Sequence, residues 1–388
     1  MSIEINPINL TSELIKCESI TPKSAGALDL LISFLEPLGF KCQRINFGEG
    51  SEKVENLYAR IGTSEPNICF AGHVDVVPAG NINNWSVNPF GGEIKDGKIW
   101  GRGAADMKSG IAAFVAAAAD FLKNKKSLKD IGSISLLITS DEEGKALNGT
   151  KKVVDWLKSN CEVISGCIVG EPTNVNRMGD TIKIGRRGSF SGTLIVKGIQ
   201  GHVGYPHLAD NPINTLLKMV EPLTKVYLDE GTPEFQPSSA MITTIDVNNT
   251  ATNVIPELAK AQFNIRFNTL HSISSLKKML EDQFSSISNN YEFNYFCNAE
   301  PFLTNDGYLK STLESAIKKI INTTPEKSTS GGTSDARFIS KISPVIEFGL
   351  VGKTMHKVDE SVDVSDILDL TKIYNQFLFN YFGVTASD

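Results

Sequence analysis

The chain has 388 residues, of which 41% are hydrophobic and 21% charged; the net charge is −6 and five residues are histidine. These values describe a soluble globular protein of two or three domains and exclude a mainly disordered, collagenous or membrane-spanning chain. The acidic balance gives no grounds for nucleic acid or an anionic membrane as partner.

The opening segment MSIEINPINLTSELIKCESI carries acids early and lacks an apolar core, so no secretory leader is expected. The longest apolar run, residues 111–119, falls far short of the ~20 residues that cross a bilayer. A cytoplasmic location is therefore expected. Cys17, Cys42, Cys69, Cys161, Cys167 and Cys297 form no CxxC pair and read as reduced, mostly buried thiols.

Residues 25–38 have helical spacing and stop before Gly39. Residues 56–61 and 67–71 read as strands, 109–122 as an Ala-rich helix, 134–139 as a buried strand, 150–158 as a helix and 167–169 as a buried strand. Strands alternating with helices predict an α/β domain with a mixed, mostly parallel sheet. Such sheets bind ligands beyond the carboxyl ends of their strands. The pattern changes at Gly188. Strand 191–197, helix 212–227, strands 241–247 and 262–267, helix 273–287 and strand 291–296 follow in an order that predicts a ferredoxin-like α+β unit. Helix 308–321, strand 345–348 and helix 364–381 then resume the first pattern. The expected organisation is one domain made of 1–187 and 301–388, with 188–300 inserted as a second. The Ser/Thr/Gly stretch 328–334 reads as a site loop.

Five motifs carry chemistry, all after strands or at a helix start in the first domain. In AGHVDVVP (71–78), His73 and Asp75 are two apart at a strand end and point to one side. Imidazole binds a divalent cation and a carboxylate can orient it, although a lone pair of this kind also fits a structural histidine. In WGRGAADMKSG (100–110), Asp106 opens a strong helix, as an N-cap or as a ligand. TSDEEG (139–144) sets three acids together, a repulsion that a cation offsets; a solvated acidic turn is the alternative. Adjacent side chains point in different directions, so Glu142 and Glu143 can divide proton transfer from metal binding. Glu171 in VGEPT (169–173) and His356 in KTMHKVDE (353–360) each read alone as a loop residue. Together, His73, Asp106, Glu143, Glu171 and His356 suit two Zn²⁺-like ions with one shared carboxylate, and leave Glu142 as general base and acid.

In order and content, AGHVDVVP, GRGAADMKSG, TSDEEG, GEPT and MHKVDE resemble the motifs of the dinuclear-zinc aminoacylase and carboxypeptidase family, over essentially the whole chain. The resemblance implies a metal-dependent amidohydrolase whose zinc-hydrolase domain is interrupted by a lid and dimerisation domain. It implies two Zn²⁺ ions per subunit, with Co²⁺ as a substitute. His73 and Glu171 would hold one ion, Glu143 and His356 the other, and Asp106 would bridge them, often with a cis peptide after it. Asp75 would orient His73. Glu142 would take a proton from the attacking water and return it to the leaving amine. His202 would steady the oxyanion across a homodimer interface, with Asn253 supporting that region from the partner chain.

Four further segments, GRRGS (185–189), KGIQGHVGYPHLADNP (197–212), TNVIP (252–256) and SGGTSDAR (330–337), resemble a narrower branch of the family. That branch implies a small succinylated diamino-diacid substrate on the way to lysine and diaminopimelate. Arg186 and Arg266 would then serve as bidentate forks for substrate carboxylates. Ser189, Tyr205, Gly332 and Thr333 would be neutral donors or shaping groups. His207 and His271 have no metal role in this reading. A sister deacylase for N-acetylornithine shares every metal ligand and is the nearest alternative. A non-catalytic metal-dependent binding protein is the other, and an intact Glu142 counts against it.

Overall fold

The computed structural model describes residues 4–124, 128, 131–225 and 227–385. The chain divides into two compact units: Met1–Ile184 with Thr304–Ser328 and Ser334–Asp388, and Gly185–Leu303 with Thr329–Thr333. Residues 329–333, read from the sequence as part of the first domain, group with the second. Hydrogen bonds account for this: Thr329 Oγ1 donates to the Glu234 carbonyl at 2.6 Å, and Arg186 Nη1 donates to the Ser330 carbonyl at 3.2 Å.

The first unit contains an eight-stranded mixed sheet. Its order is Lys41–Phe47, Val54–Ile61, Ser133–Thr139, Asn67–His73, Gly166–Val169, Val345–Glu347, Thr181–Lys183 and Glu326–Ser328. From Ser133–Thr139 to Val345–Glu347 neighbouring strands run parallel, and every residue in these four strands is buried. Continuous buried runs are what a parallel sheet requires. The two strands at the Lys41–Phe47 side pair antiparallel. Sequence reading missed Lys41–Phe47 because only Ile45 in it is buried, so no alternation is visible. Phe70 from the central strand stacks on Phe114 of helix Ser109–Asn124 at 4.4 Å. Tyr374 of helix Val364–Tyr381 meets both rings edge-on, and its hydroxyl donates to the Phe348 carbonyl at 2.5 Å. The apolar run 111–119 is therefore core of this unit. Among the described residues no helix is long and apolar enough to cross a membrane.

The second unit is a four-stranded antiparallel sheet in the order Ser239–Asp246, Leu258–Phe267, Gly188–Lys197, Tyr291–Ala299. With helices Pro212–Val220 and Ile273–Ser285 between strands, this is the ferredoxin-like order. Burial alternates along Gly188–Lys197 and Leu258–Phe267, so one face holds the core. Phe190, Leu194, Phe263 and Ile265 cluster there with Leu216, Met219, Leu276, Leu280 and Phe284. The helix expected over 212–227 stops at Val220 and continues only as the 3₁₀ turn Glu221–Thr224. Pro222 explains the stop, since it lacks the N–H an α-helix would use. All six cysteines are free, but only Cys69 and Cys167 are buried and Cys161 is exposed, so the expectation of mostly buried thiols is corrected.

Candidate active site

The proposed ligands His73, Asp106, Glu143, Glu171 and His356 all lie in the first unit, at strand ends and in the loops beyond them. Two glycines let their backbones converge. A Cβ on Gly72 would lie 2.4 Å from the Met107 methyl, and one on Gly170 would lie 2.7 Å from it. The strands carrying His73 and Glu171 thus close on the residue after Asp106. Asp106 itself is not the cap of the following helix, because it lies in extended backbone (φ/ψ −125°/96°) well before that helix begins at Ser109. The peptide bond from Asp106 to Met107 is cis.

The Asp106 carboxylate stands between the two imidazoles. Oδ1 is 3.2 Å from His73 Nε2, and Oδ2 is 3.3 Å from His356 Nε2. Glu171 Oε1 flanks His73 Nε2 at 3.8 Å, and Glu143 Oε1 flanks His356 Nε2 at 2.9 Å. Donor atoms of His73, Asp106 and Glu143 lie within 4.8 Å of one another, as do those of His73, Glu142 and Glu171. Nitrogen and carboxylate donors without thiolate, at this spacing, fit divalent ions such as Zn²⁺. His73, Asp106 and Glu171 are buried, whereas the His356 side chain is 48% exposed, so the cluster opens on the His356 side.

Asp75 meets His73 through its backbone carbonyl. His73 Nδ1 lies 2.8 Å from the Asp75 backbone carbonyl, which fixes the tautomer with Nε2 toward the cluster. The Asp75 carboxylate, 3.7 Å from Nδ1, instead accepts the backbone N–H groups of Glu142 at 3.3 Å and Glu143 at 3.1 Å. One residue thereby orients the first histidine and the acidic turn.

The charges are strongly coupled. Burial pushes Glu142 well above the usual glutamate range, against His73 and with help from Asp335, Glu143 and Asp106. Burial, then Asp106 and Glu142, do the same to Glu171. Burial also works to raise Asp106, but hydrogen bonds with His356 and His73 hold it below the usual carboxylate range. Contacts with Asp106 and Glu143 raise His356 to about 10. His73 rises well above its usual value in spite of burial, through Asp106, Glu171 and Glu142. The acids thus draw protons onto the imidazoles, the response expected of a site shaped for positive charge.

The second unit collects the other expected residues into three places. Arg186 holds the carbonyl of Ser330, in the segment that continues to Gly332 and Thr333. Ser189 faces Arg266 across paired strands. His202 and Val254 pair in a short ladder, and the Val203 N–H donates to the Asn253 carbonyl at 3.1 Å, so Asn253 neighbours His202 within one chain. His202 Nδ1 accepts the Gly204 N–H at 2.9 Å, which leaves the neutral ring's proton on Nε2, free to donate. Tyr205 packs near the His202 ring at 5.5 Å between centroids. His271 sits in a loop, 3.1 Å from Asp229.

Three buried residues had no role in the sequence reading. Arg102 and Glu360 form an ion pair at 2.7 Å. Asp335, whose Oδ1 has no hydrogen-bond partner, adds to the field on Glu142. All three stand inside the motifs GRGAADMKSG, MHKVDE and SGGTSDAR, and that placement was the only available signal.

The model for peptidase family M20/M25/M40 matches residues 69–380. A protein named succinyl-diaminopimelate desuccinylase from Rhodospirillum centenum is 54% identical over 379 residues, covering 97% of this chain and 98% of its own length. One of the same name from Parvibaculum lavamentivorans is 51% identical over 387 residues, covering 98% and 97%. Among solved structures, the M20 family metallo-carboxypeptidase Sso-CP2 of Sulfolobus solfataricus aligns with TM-score 0.76 at 18% identity, over 98% of this chain and 100% of that one. Aminopeptidase PepT of Bacillus cereus aligns with TM-score 0.77 at 20% identity, over 97% and 99%.

Proposed function

The chain belongs to peptidase family M20/M25/M40 and is a metal-dependent hydrolase, and from that premise we propose that it hydrolyses N-succinyl-LL-2,6-diaminopimelate to succinate and LL-2,6-diaminopimelate. The observation that carries the chemistry is the Asp106 carboxylate, with one oxygen toward each imidazole and Glu142 alongside. The names of relatives at 54% and 51% identity support the substrate.

Two Zn²⁺ ions per subunit are the proposed cofactors, with Co²⁺ as a substitute. His73 and Glu171 would hold one, Glu143 and His356 the other, with Asp106 shared. When bound, such ions lower the pKa of a water and polarise an amide carbonyl. Glu142 takes the proton from the attacking water. As the C–N bond breaks, the hydroxyl stays on the succinyl carbon and Glu142 delivers its proton to the amine nitrogen. His202 donates from Nε2 to the carbonyl oxygen as it becomes anionic. Arg186 and Arg266 receive substrate carboxylates, and Ser189, Tyr205, Asn253, Gly332 and Thr333 serve as further substrate-binding residues.

The proposed assembly is a cytoplasmic homodimer in which 188–300 serves as lid and dimerisation domain and supplies His202 to the partner's site; 1–187 and 301–388 form the catalytic domain. The exposed apolar side chains Ile199, Val203, Tyr205 and Leu208 beside His202 support such an interface. The proposal is tested by incubating zinc-loaded protein with the substrate and measuring succinate chromatographically. Release of succinate with one equivalent of free diaminopimelate is expected; intact substrate after prolonged incubation refutes it.

His202→Ala is expected to lower kcat about 10²- to 10³-fold, the usual cost of a lost oxyanion donor, with KM changed only a few-fold. Steady-state kinetics check this, and an unchanged kcat removes His202 from the mechanism.

A further inference from the structure

We propose that the buried ion pair Arg102–Glu360 is a positioning pair that joins the loops bearing His73, Asp106 and His356 and so sets the spacing of the two cation sites; this rests on the metal-hydrolase reading above. Both side chains are buried, at 3% and 0% exposure, and Nη1 meets Oε2 at 2.7 Å. From this pair, contacts reach all three loops. Glu360 Oε1 accepts the backbone N–H of Ala105 at 2.8 Å and of Asp106 at 3.2 Å, and the Glu360 carbonyl accepts the Gly101 N–H at 2.9 Å. Arg102 Nη1 also donates to the carbonyl of Lys357, the residue after His356, at 3.1 Å. Its Nη2 donates to the carbonyl of Pro78, which closes the motif that begins before His73, at 3.4 Å. Trp85 lies over the guanidinium at 5.1 Å.

Two further observations favour a geometric role over simple stabilisation. First, His356 and Asp359 have φ of 62° and 57°, a left-handed backbone that costs energy in residues with a side chain. Such a turn persists only where its surroundings hold it, and Arg102 holds this one on both sides of Asp359, at the Lys357 carbonyl and the Glu360 carboxylate. Second, an ion pair taken out of water is a weak source of stability, because desolvation offsets the attraction. What this pair does provide is direction: three of its hydrogen bonds are to the backbone of a proposed ligand or its immediate neighbour, at Ala105, Asp106 and Lys357.

The test uses the full-length protein. Glu360→Gln keeps the size of the side chain but cannot accept from two backbone N–H groups and from Arg102 at once. Arg102→Lys keeps the charge but not the fork that reaches Pro78 and Lys357. For each, Zn²⁺ affinity is measured by chelator competition and the absorption spectrum is recorded after Co²⁺ loading. Folding is checked by circular dichroism. The proposal expects at least a tenfold loss in affinity for the weaker of the two ions, an altered Co²⁺ spectrum, and a larger fall in kcat than rise in KM. Should Glu360→Gln fail to fold, Arg102→Lys carries the same readouts. Two ions bound with wild-type affinity and spectrum in a folded variant overturn it. Wild-type protein that binds two ions but releases no succinate would sink the catalytic reading instead, and leave the positioning role standing.

Discussion

Glu142→Ala is expected to abolish turnover while leaving the bound metal content at its wild-type level. The expected fall in kcat is at least ~10³-fold, roughly 4 kcal/mol, within the range for loss of a general acid–base group. The separation follows from the acidic turn. Glu143 points to His356 at 2.9 Å and Glu142 lies on the side of His73 and Glu171, so removing the Glu142 carboxylate leaves His73, Asp106, Glu143, Glu171 and His356 in place. The turn is held by its backbone, through the N–H groups of Glu142 and Glu143 on Asp75, and the substitution leaves those bonds intact. Metal content by elemental analysis, beside kcat, is the check. A Glu142→Ala protein with full activity contradicts the proton-transfer role, and one that has lost metal shows that Glu142 is a ligand.

Stripping the metal with a chelator abolishes activity and also makes stability depend on pH in a defined direction. Glu142 and Glu171 are raised above the usual 4.5 by burial, so in the metal-free protein their ionisation opposes folding, and that cost is relieved as pH falls. His73 and His356 are raised as well, so their protonation favours folding, and that contribution is lost as pH rises toward the His356 value of about 10. Both effects mean that the folded site binds more protons than the unfolded chain, so metal-free stability declines as pH rises above 4.5. Asp106, held low, acts in the opposite sense only below its usual 3.8. Zn²⁺ displaces those protons. Calorimetry is expected to show proton release on Zn²⁺ binding, and thermal melts a gap between metal-loaded and metal-free protein that widens with pH from 5.5 to 8.5, a range inside that window. No proton release and a pH-independent gap would contradict the assignment of these residues as ligands.

The convergence of His73, Asp106, Glu143, Glu171 and His356 was readable in the sequence because each follows a buried strand or lies shortly before a helix. A parallel sheet collects its strand ends at one edge, so local placement implied spatial proximity. The second unit was readable for a similar reason: its alternation along 191–197 and 262–267 survives in the burial of both strands. What escaped depends on contacts far apart in the chain. Arg102 and Glu360 are separated by 258 positions, and neither shows in isolation that it will be buried or paired. The hold of Asp75 on the acidic turn escaped because it reaches 67 residues along the chain, and its contact with His73 uses the backbone carbonyl, which residue type does not show. The grouping of 329–333 with the second unit likewise turns on single hydrogen bonds to Glu234 and Arg186. Asp106 alone reads as a cap or as a ligand, because residue type does not show that the helix begins only at Ser109.

The central claim, amide hydrolysis directed at a succinylated diamino-diacid, is tested most directly by one comparison. Zinc-loaded protein is given N-succinyl-LL-2,6-diaminopimelate and N-acetylornithine side by side, and kcat/KM is measured for each. The two substrates call on the same metal ligands and Glu142, so the ratio reads the residues around Arg186 and Arg266 alone. N-acetylornithine lacks two of the three carboxylates that those arginines can receive, and a lost charged hydrogen bond costs about 1.5–3 kcal/mol, so the two together cost about 3 kcal/mol or more. At least a hundredfold preference for the succinylated substrate is therefore expected. Equal or greater efficiency on N-acetylornithine, or binding of either compound without cleavage, would contradict the account.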